Sequence, residues 1–341
     1  MVGRPLWERK VPSSSLGAPI FPMNTIADIL PSLTYHHRPD RDYEISGDGE
    51  QHIVQSPIFE TPCAFQSLVL SVDYHPRAGE SLLTEMQICQ GGVWSRFFKL
   101  GFYTAGKKCS FAEQTDEFGS VYVDMLQSAR AAQQYRFRLT ITGQADIPSV
   151  YVCVFPFEQK TDPILNVLPN GKRFIKVKPI SQMKLDVPPA MQRRLCSPTS
   201  LTMALNALGV KSKPLDVAQA VYDSHAEIYG NWSFNTAYAC ERGLEACVTR
   251  FKRLSQLEKY ITPDSLVLAT IGYGAGELTD AAIEQTTGHL VVVCGWEKEW
   301  IRVADPAAMH KGDVLRFYNA QEFARVWLEN KNGAAYLVRK K

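Results

Sequence analysis

The sequence has no long hydrophobic run. Nothing in its 341 residues approaches the roughly 18 consecutive apolar residues that a membrane-spanning helix needs. Nor does one sign of charge prevail: 37 Lys and Arg against 35 Asp and Glu leave a net charge of +2. The strongly basic face that nucleic acid calls for is therefore not expected. The eight cysteines, at 63, 89, 109, 153, 196, 240, 247 and 294, form no Cys-x-x-Cys pair. That scatter argues against a metal-ligand cluster and against a disulfide framework. Behind the basic residues of Met1–Lys10 there is no apolar stretch of signal-peptide type. A cytoplasmic setting with reduced thiols is the expectation, and the even cysteine count leaves secretion open. Glycine (22) and proline (20) are near average usage, which leaves little room for low-complexity tracts.

What is present is ordinary for a soluble globular chain: 45% hydrophobic and 21% charged residues. At roughly 150 residues per domain, the length predicts two domains. Residues 1–25 carry Pro5, Pro12, Pro19 and Pro22 among serines and glycines and are expected to form an extended arm. Residues 26–157 contain short alternating runs, among them Phe65–Val72, Gly119–Met125, Tyr135–Ile141 and Ser149–Phe155. Period-two alternation with β-branched and aromatic residues predicts strands, and many strands with few helices predict an antiparallel β-sandwich. Residues 158–180, with Pro163, Pro169, Asn170-Gly171 and Pro179, have the composition of a linker.

Residues 181–341 differ. Ser197–Leu208 has helix chemistry with Gly209 as its stop, and Pro214–Tyr222, Asn235–Arg242 and Leu254–Ile261 follow as helices. Strand-like runs come next at Leu266–Gly272, His289–Trp296, Ile301–Ala304 and Ala334–Val338, interrupted by a helix over Ala320–Leu328. Helices first and an antiparallel sheet afterwards predict an α+β domain. A unit starting near Asp162 is expected to fold alone, since no reactive cluster stands upstream.

Three residues could carry chemistry. Cys196 stands where a loop turns into a helix, and the roughly half positive charge of a helix N-terminus favours the nucleophilic thiolate. For a lone cysteine the plainer reading is a small apolar residue. His289 opens an apolar strand, where it can face a cleft and move a proton near neutral pH, or simply end the strand. Asp305, before Pro306, ends the next strand; Asp-Pro is also a common turn. Adjacent antiparallel strands would bring Asp305 beside His289, the arrangement in which a carboxylate orients an imidazole.

Four blocks in order strengthen the trio: Cys196–Ser200 (CSPTS), Gly230–Ala239 (GNWSFNTAYA), Gly288–Gly295 (GHLVVVCG) and Asp305–Ala308 (DPAA). With them the stretch from about Pro179 to the end resembles the C39-like cysteine peptidases, a bacterial branch of the papain-like superfamily. The subgroup with an N-terminal β-rich domain is the most similar. The resemblance implies a papain-like α+β peptidase domain with Cys196 as nucleophile, His289 as base and acid, and Asp305 as orienting residue. It also implies an upstream glutamine in the oxyanion hole. Gln182 and Gln192 are the candidates, and Gln182, in Ser181-Gln182-Met183, is favoured. The aromatic and amide-rich Tyr229, Gly230, Asn231, Trp232 and Asn235 are expected either to wall a substrate cleft or to pack as a turn before a helix.

These expectations amount to a cysteine peptidase or amide hydrolase without metal or organic cofactor, acting on a peptide or protein. The β-sandwich is expected to contact a protein or carbohydrate surface. The alternatives are a transglutaminase-like acyl transferase and an inactive binding module.

Overall fold

The computed structural model describes residues 32–38, 42–111, 113–157 and 168–341. The expected N-terminal arm lies outside the described residues, as do residues 158–167 of the expected linker, whereas the rest of that linker is described and contains a short strand over Lys172–Phe174.

Eleven strands form one antiparallel hydrogen-bonded network in the first half. They are β1 (Thr34–His37), β2 (Glu44–Gly47), β3 (Gln51–Gln55), β4 (Phe59–Asp73), β5 (Ser81–Gln90), β6 (Val93–Trp94), β7 (Phe98–Thr104), β8 (Lys108–Ser110), β9 (Gly119–Tyr122), β10 (Met125–Thr142) and β11 (Ser149–Pro156). The main path runs β1-β11-β4-β10-β5-β7-β8. The long strand β10 pairs with β4 near its start and with β5 and β3 near its end. The sheet therefore wraps over one core, into which Leu68, Leu70 and Val72 of β4 project with Phe137 and Leu139 of β10. The expected strand over Gly119–Met125 is broken: Val123 and Asp124 form the two-residue turn joining β9 to β10. Val123 has φ +58°, a left-handed conformation unfavourable for a β-branched residue.

The second half builds a sheet in the order β13-β18-β14-β15-β16-β17. Its strands are β12 (Lys172–Phe174), β13 (Leu244–Arg250), β14 (Ser265–Tyr273), β15 (Thr286–Glu297), β16 (Trp300–Ala304), β17 (Leu315–Asn319) and β18 (Ala334–Lys340). β12 adds to β15. The helices are α1 (Pro189–Gln192), α2 (Cys196–Ala207), α3 (Pro214–Val221), α4 (Trp232–Glu241), α5 (Leu257–Tyr260) and α6 (Ala320–Ala324), the last continuing as a wider turn over Arg325–Glu329. β14 is buried along its whole length because both faces are covered. Leu266 and Leu268 face the core shared with α2, and Val267 and Ala269 face the core shared with α6. The expected helices and strands of this half are all found within a few residues of their expected ends. β12, β13 and β17 are additional.

The halves interpenetrate. Phe234 and Ala237 of α4 lie in the core of the first half, whereas Val69, Cys153 and Phe155 lie in a core of the second. Polar contacts join the same surfaces. Ser71 Oγ accepts from Val248 N at 3.1 Å, Ser233 Oγ donates to Leu70 O at 2.7 Å, and buried Lys108 meets Glu241 at 2.8 Å. The packing gives no support to a second half that folds alone. Among the described residues no helix is long and apolar enough to cross a membrane.

Candidate active site

The site is built where α2 meets β15. α2 begins at Cys196, and the preceding Leu195 offers no side-chain cap. The first N–H groups of the helix are left without intrahelical partners, and their positive end of the dipole faces the thiol. Ser200 Oγ donates to Leu290 O at 2.8 Å and fastens the first turn of α2 to β15 beside His289. Ser197 and its two successors are buried, so the half-buried Cys196 sits on a rigid base.

The registers of β14 to β16 place His289 and Asp305 as diagonal neighbours, with Ile271 opposite His289 and Ala304 opposite Val292. His289 Nε2 lies 2.7 Å from Asp305 Oδ1, and both side chains are buried. A carboxylate only accepts, so Nε2 carries the proton and Nδ1 is free for the thiol. Asp305 is held further: Tyr318 OH donates to Oδ2 at 2.8 Å and Ala307 N donates to Oδ1 at 2.9 Å.

The charges follow from this geometry. Burial alone would push the Cys196 thiol up, but the hydrogen bond and charge of His289, with the N–H groups of Leu290 and Ser197, bring it below its ordinary value. Burial would lower His289, yet the Asp305 carboxylate and the thiol push it up to about 10. Burial would raise Asp305, while His289, Tyr318 and Ala307 N hold it below the usual carboxylate range. The set favours a thiolate–imidazolium pair anchored on a carboxylate. Burial pushes Cys153 and Cys294 up to about 12 and Cys240 and Cys247 higher than an ordinary thiol. All eight cysteines are free.

Gln182 is buried in a short turn over Gln182–Lys184. Its backbone N donates to Pro306 O at 2.8 Å and its side-chain Nε2 donates to Gln192 O at 2.9 Å, while Oε1 has no partner. The turn is thus clipped to the loop that follows Asp305. The Gln192 side chain points away, donating to Leu185 O at 2.8 Å.

The aromatic and amide-rich segment divides. Tyr229, Gly230 and Trp232 are half-buried, Tyr229 against Tyr222 and Trp232 against Phe155. Asn231 and Asn235 are fully buried. Asn231 caps α4 through Phe234 N and donates to Asp223 Oδ2 at 2.9 Å. Asn235 accepts from Ser197 Oγ at 2.9 Å and donates to Tyr229 O and Asn231 O. Of the two readings of this segment, a cleft wall or a packed turn before a helix, the contacts of Asn231 and Asn235 fit the packed turn, because their polar atoms are engaged within the chain. The contacts of Tyr318 with Asp305 and of Asp124 with the start of α4 are not legible in the sequence. The partners of each are distant in sequence, so no local pattern marks them.

Residues 174–335 match the "Peptidase_C39 like family", and residues 38–153 match the "Peptidase C39 N-terminal domain". The chain belongs to the C39-like cysteine peptidases. The family match over the first half covers most of the β-rich network of this peptidase. No curated protein matches its sequence. Among solved structures it is similar to a double glycine motif protease from an AMS/PCAT transporter, solved in complex with the leader peptide. That match has 20% identity, covers 51% of this chain and 97% of the other, and has a TM-score of 0.36. A second similar structure is the peptidase domain of Streptococcus ComA, a bi-functional ABC transporter, at 16% identity, 49% and 99% coverage and a TM-score of 0.33. Among the described residues no group of histidine, cysteine and carboxylate side chains could hold a metal ion.

Proposed function

We propose that the peptidase cleaves a peptide bond through a thioester on Cys196. The thiolate attacks the carbonyl carbon, forming a C–S bond and moving the carbonyl electrons onto oxygen. The Cys196 N–H and the Gln182 amide bind that oxyanion. Its collapse breaks the C–N bond as imidazolium His289 gives its proton to the leaving amine. A water, deprotonated by His289, then attacks the thioester and releases acid and thiolate. Asp305 holds the ring and its tautomer throughout. The fold that goes with this reading is a papain-like α+β unit preceded by a β-sandwich. The half-buried Tyr229, Gly230 and Trp232 contact the bound peptide.

The observation that carries the reading is the buried His289–Asp305 contact at 2.7 Å beside a thiol held at an uncapped helix start. The test is digestion of a peptide library followed by mass spectrometry. Wild type should generate new N-termini and Cys196→Ala none. Hydroxylamine added to the digest should trap the thioester as a hydroxamate. Cleavage that survives Cys196→Ala overturns the proposal; transfer to added amine with no hydrolysis product replaces it with acyl transfer.

A further inference from the structure

Asp124 is a carboxylate in the β9–β10 turn with only 7% of its surface exposed, and the chemistry above does not use it. Its Oδ2 accepts from two consecutive N–H groups of α4, Trp232 N at 2.6 Å and Ser233 N at 2.9 Å. These are orphan donors of the helix start, so one residue of the β-rich half closes the N-terminus of a helix in the other half. From that same first turn Asn235 reaches Ser197 Oγ at 2.9 Å, and Ser197 adjoins Cys196. The Ser197 hydroxyl also meets Tyr336 OH at 3.0 Å. Burial pushes the Asp124 carboxyl up to about 6, and the two N–H groups of α4 oppose that rise.

We propose that Asp124 is a positioning residue for the nucleophile: it fixes the first turn of α4, through which Asn235 holds Ser197 and thereby Cys196 against His289. The thiol of the peptidase half then depends on a side chain of the β-rich half. Several features point to this route over a simple packing role. Val123 accepts an unfavourable left-handed φ immediately before Asp124, and that turn aims the carboxylate at α4. The carboxylate reaches Ser197 through the backbone of the first turn of α4 and one buried hydrogen bond, Asn235 Oδ1 with Ser197 Oγ, and such a link transmits displacement because packed cores do not deform smoothly. A small displacement matters at a nucleophile, where about 1 Å of misplacement can cost about a hundredfold in rate.

The inference rests on Cys196 being the nucleophile. Its test measures the rate of Cys196 alkylation by iodoacetamide as a function of pH, read by mass spectrometry of the peptide. Asp124→Ala should move the alkylation inflection upward and slow labelling at about pH 6 by about tenfold, as the thiolate fraction falls. Asp124→Asn keeps an oxygen able to accept both N–H groups and should restore most of the rate. Ser197→Ala should slow labelling similarly without touching the interface between halves, so it tests the route even where Asp124→Ala does not fold. In the double variant the two effects should be strongly non-additive, since one route is cut twice. An inflection unchanged in folded Asp124→Ala, or effects that simply add, overturns the route. Cys196→Ala serves as the separate control. If it still cleaves peptides, the nucleophile assignment fails; if it is dead while Asp124→Ala and Ser197→Ala label normally, only the positioning route fails.

Discussion

Cys196 is one thiol among eight, and its environment sets it apart from the buried ones. Cys153, Cys240, Cys247 and Cys294 are surrounded by apolar packing that favours the neutral thiol, whereas Cys196 meets an imidazole and two N–H groups. Activity should follow a bell. On the acid side it falls as Cys196 takes up a proton, below the range of an ordinary thiol. On the basic side it falls near pH 10, where His289 loses the proton needed by the leaving amine. A kcat/KM profile centred on neutral to mildly basic pH is the expected result, and a single limb near the ordinary thiol value would contradict it. For stability the signs differ between partners. The raised His289 contributes fully below about 6.5 and loses its contribution as pH rises through about 10. The lowered Asp305 contributes above about 3.9 and loses its contribution as pH falls through its depressed value. At the oxyanion, Gln182→Ala should reduce kcat by about 10²–10³ with KM little changed, the usual cost of one donor. Gln192→Ala should be nearly silent, because only its backbone carbonyl touches Gln182. Reversed effects would make Gln192 the donor.

At the scale of elements, the site depends on how β12 pairs with β15. Gly295 lies at a bulge in the β15–β16 ladder, and a Cβ added there would stand 2.1 Å from Arg173 O and 2.6 Å from the Phe174 ring. Only a residue without a side chain lets the two backbones approach so closely. Gly295→Ala should therefore displace β12 and the chain leading from it to Gln182. A loss of about 1–3 kcal/mol in denaturant midpoint analysis is expected, the scale of overpacking in a close-packed core. An unchanged midpoint would mean that β12 detaches without cost. The same sheet shows why His289 and Asp305 meet. His289 rides on β15, which is paired on both sides, and Asp305 directly follows β16 with its N–H donating to Val314 O at 2.8 Å, so a one-residue slip of β15 would turn His289 to the other face.

At the scale of the whole molecule, the shared cores predict that the two halves unfold together. Phe234 is fully buried, lies in the core of the β-rich half and meets Tyr103 edge-on at 5.1 Å, yet it belongs to a helix of the peptidase half. Phe234→Ala should cost about 3–5 kcal/mol, and fluorescence and circular dichroism should report one coincident transition, not two. A chain starting near Asp162 would expose Phe234, Ala237 and the free N-terminus of α4. It should be insoluble or molten, and a well-folded, thiol-reactive product would refute the shared-core account.

By itself the sequence determined the local events. Cys196 at a helix start, Gly209 at its end, the strand bearing His289 and the Asp-Pro end of β16 follow from capping, periodicity and turn chemistry, which act over a few residues. The β-rich character of residues 34–156 was legible for the same reason. The tertiary structure decided what lies on the second face of each element. In Ser149–Phe155 the alternation suggests one buried face, yet Tyr151, Cys153 and Phe155 are buried against the peptidase half. β13, Leu244–Arg250, escaped notice because its Glu245 and Arg250 are charged. Glu245 is accepted there only through two hydrogen bonds from Arg339 and one from Tyr151 OH. The sequence left Asn231 and Asn235 open between a cleft wall and a packed turn, and their partners, Asp223 and Ser197, are known only once α4 is docked. Asp124 had no local signal at all, since its function lies with N–H groups more than a hundred positions away. Short-range rules cannot choose among long-range partners; burial and hydrogen-bond satisfaction over the whole chain do.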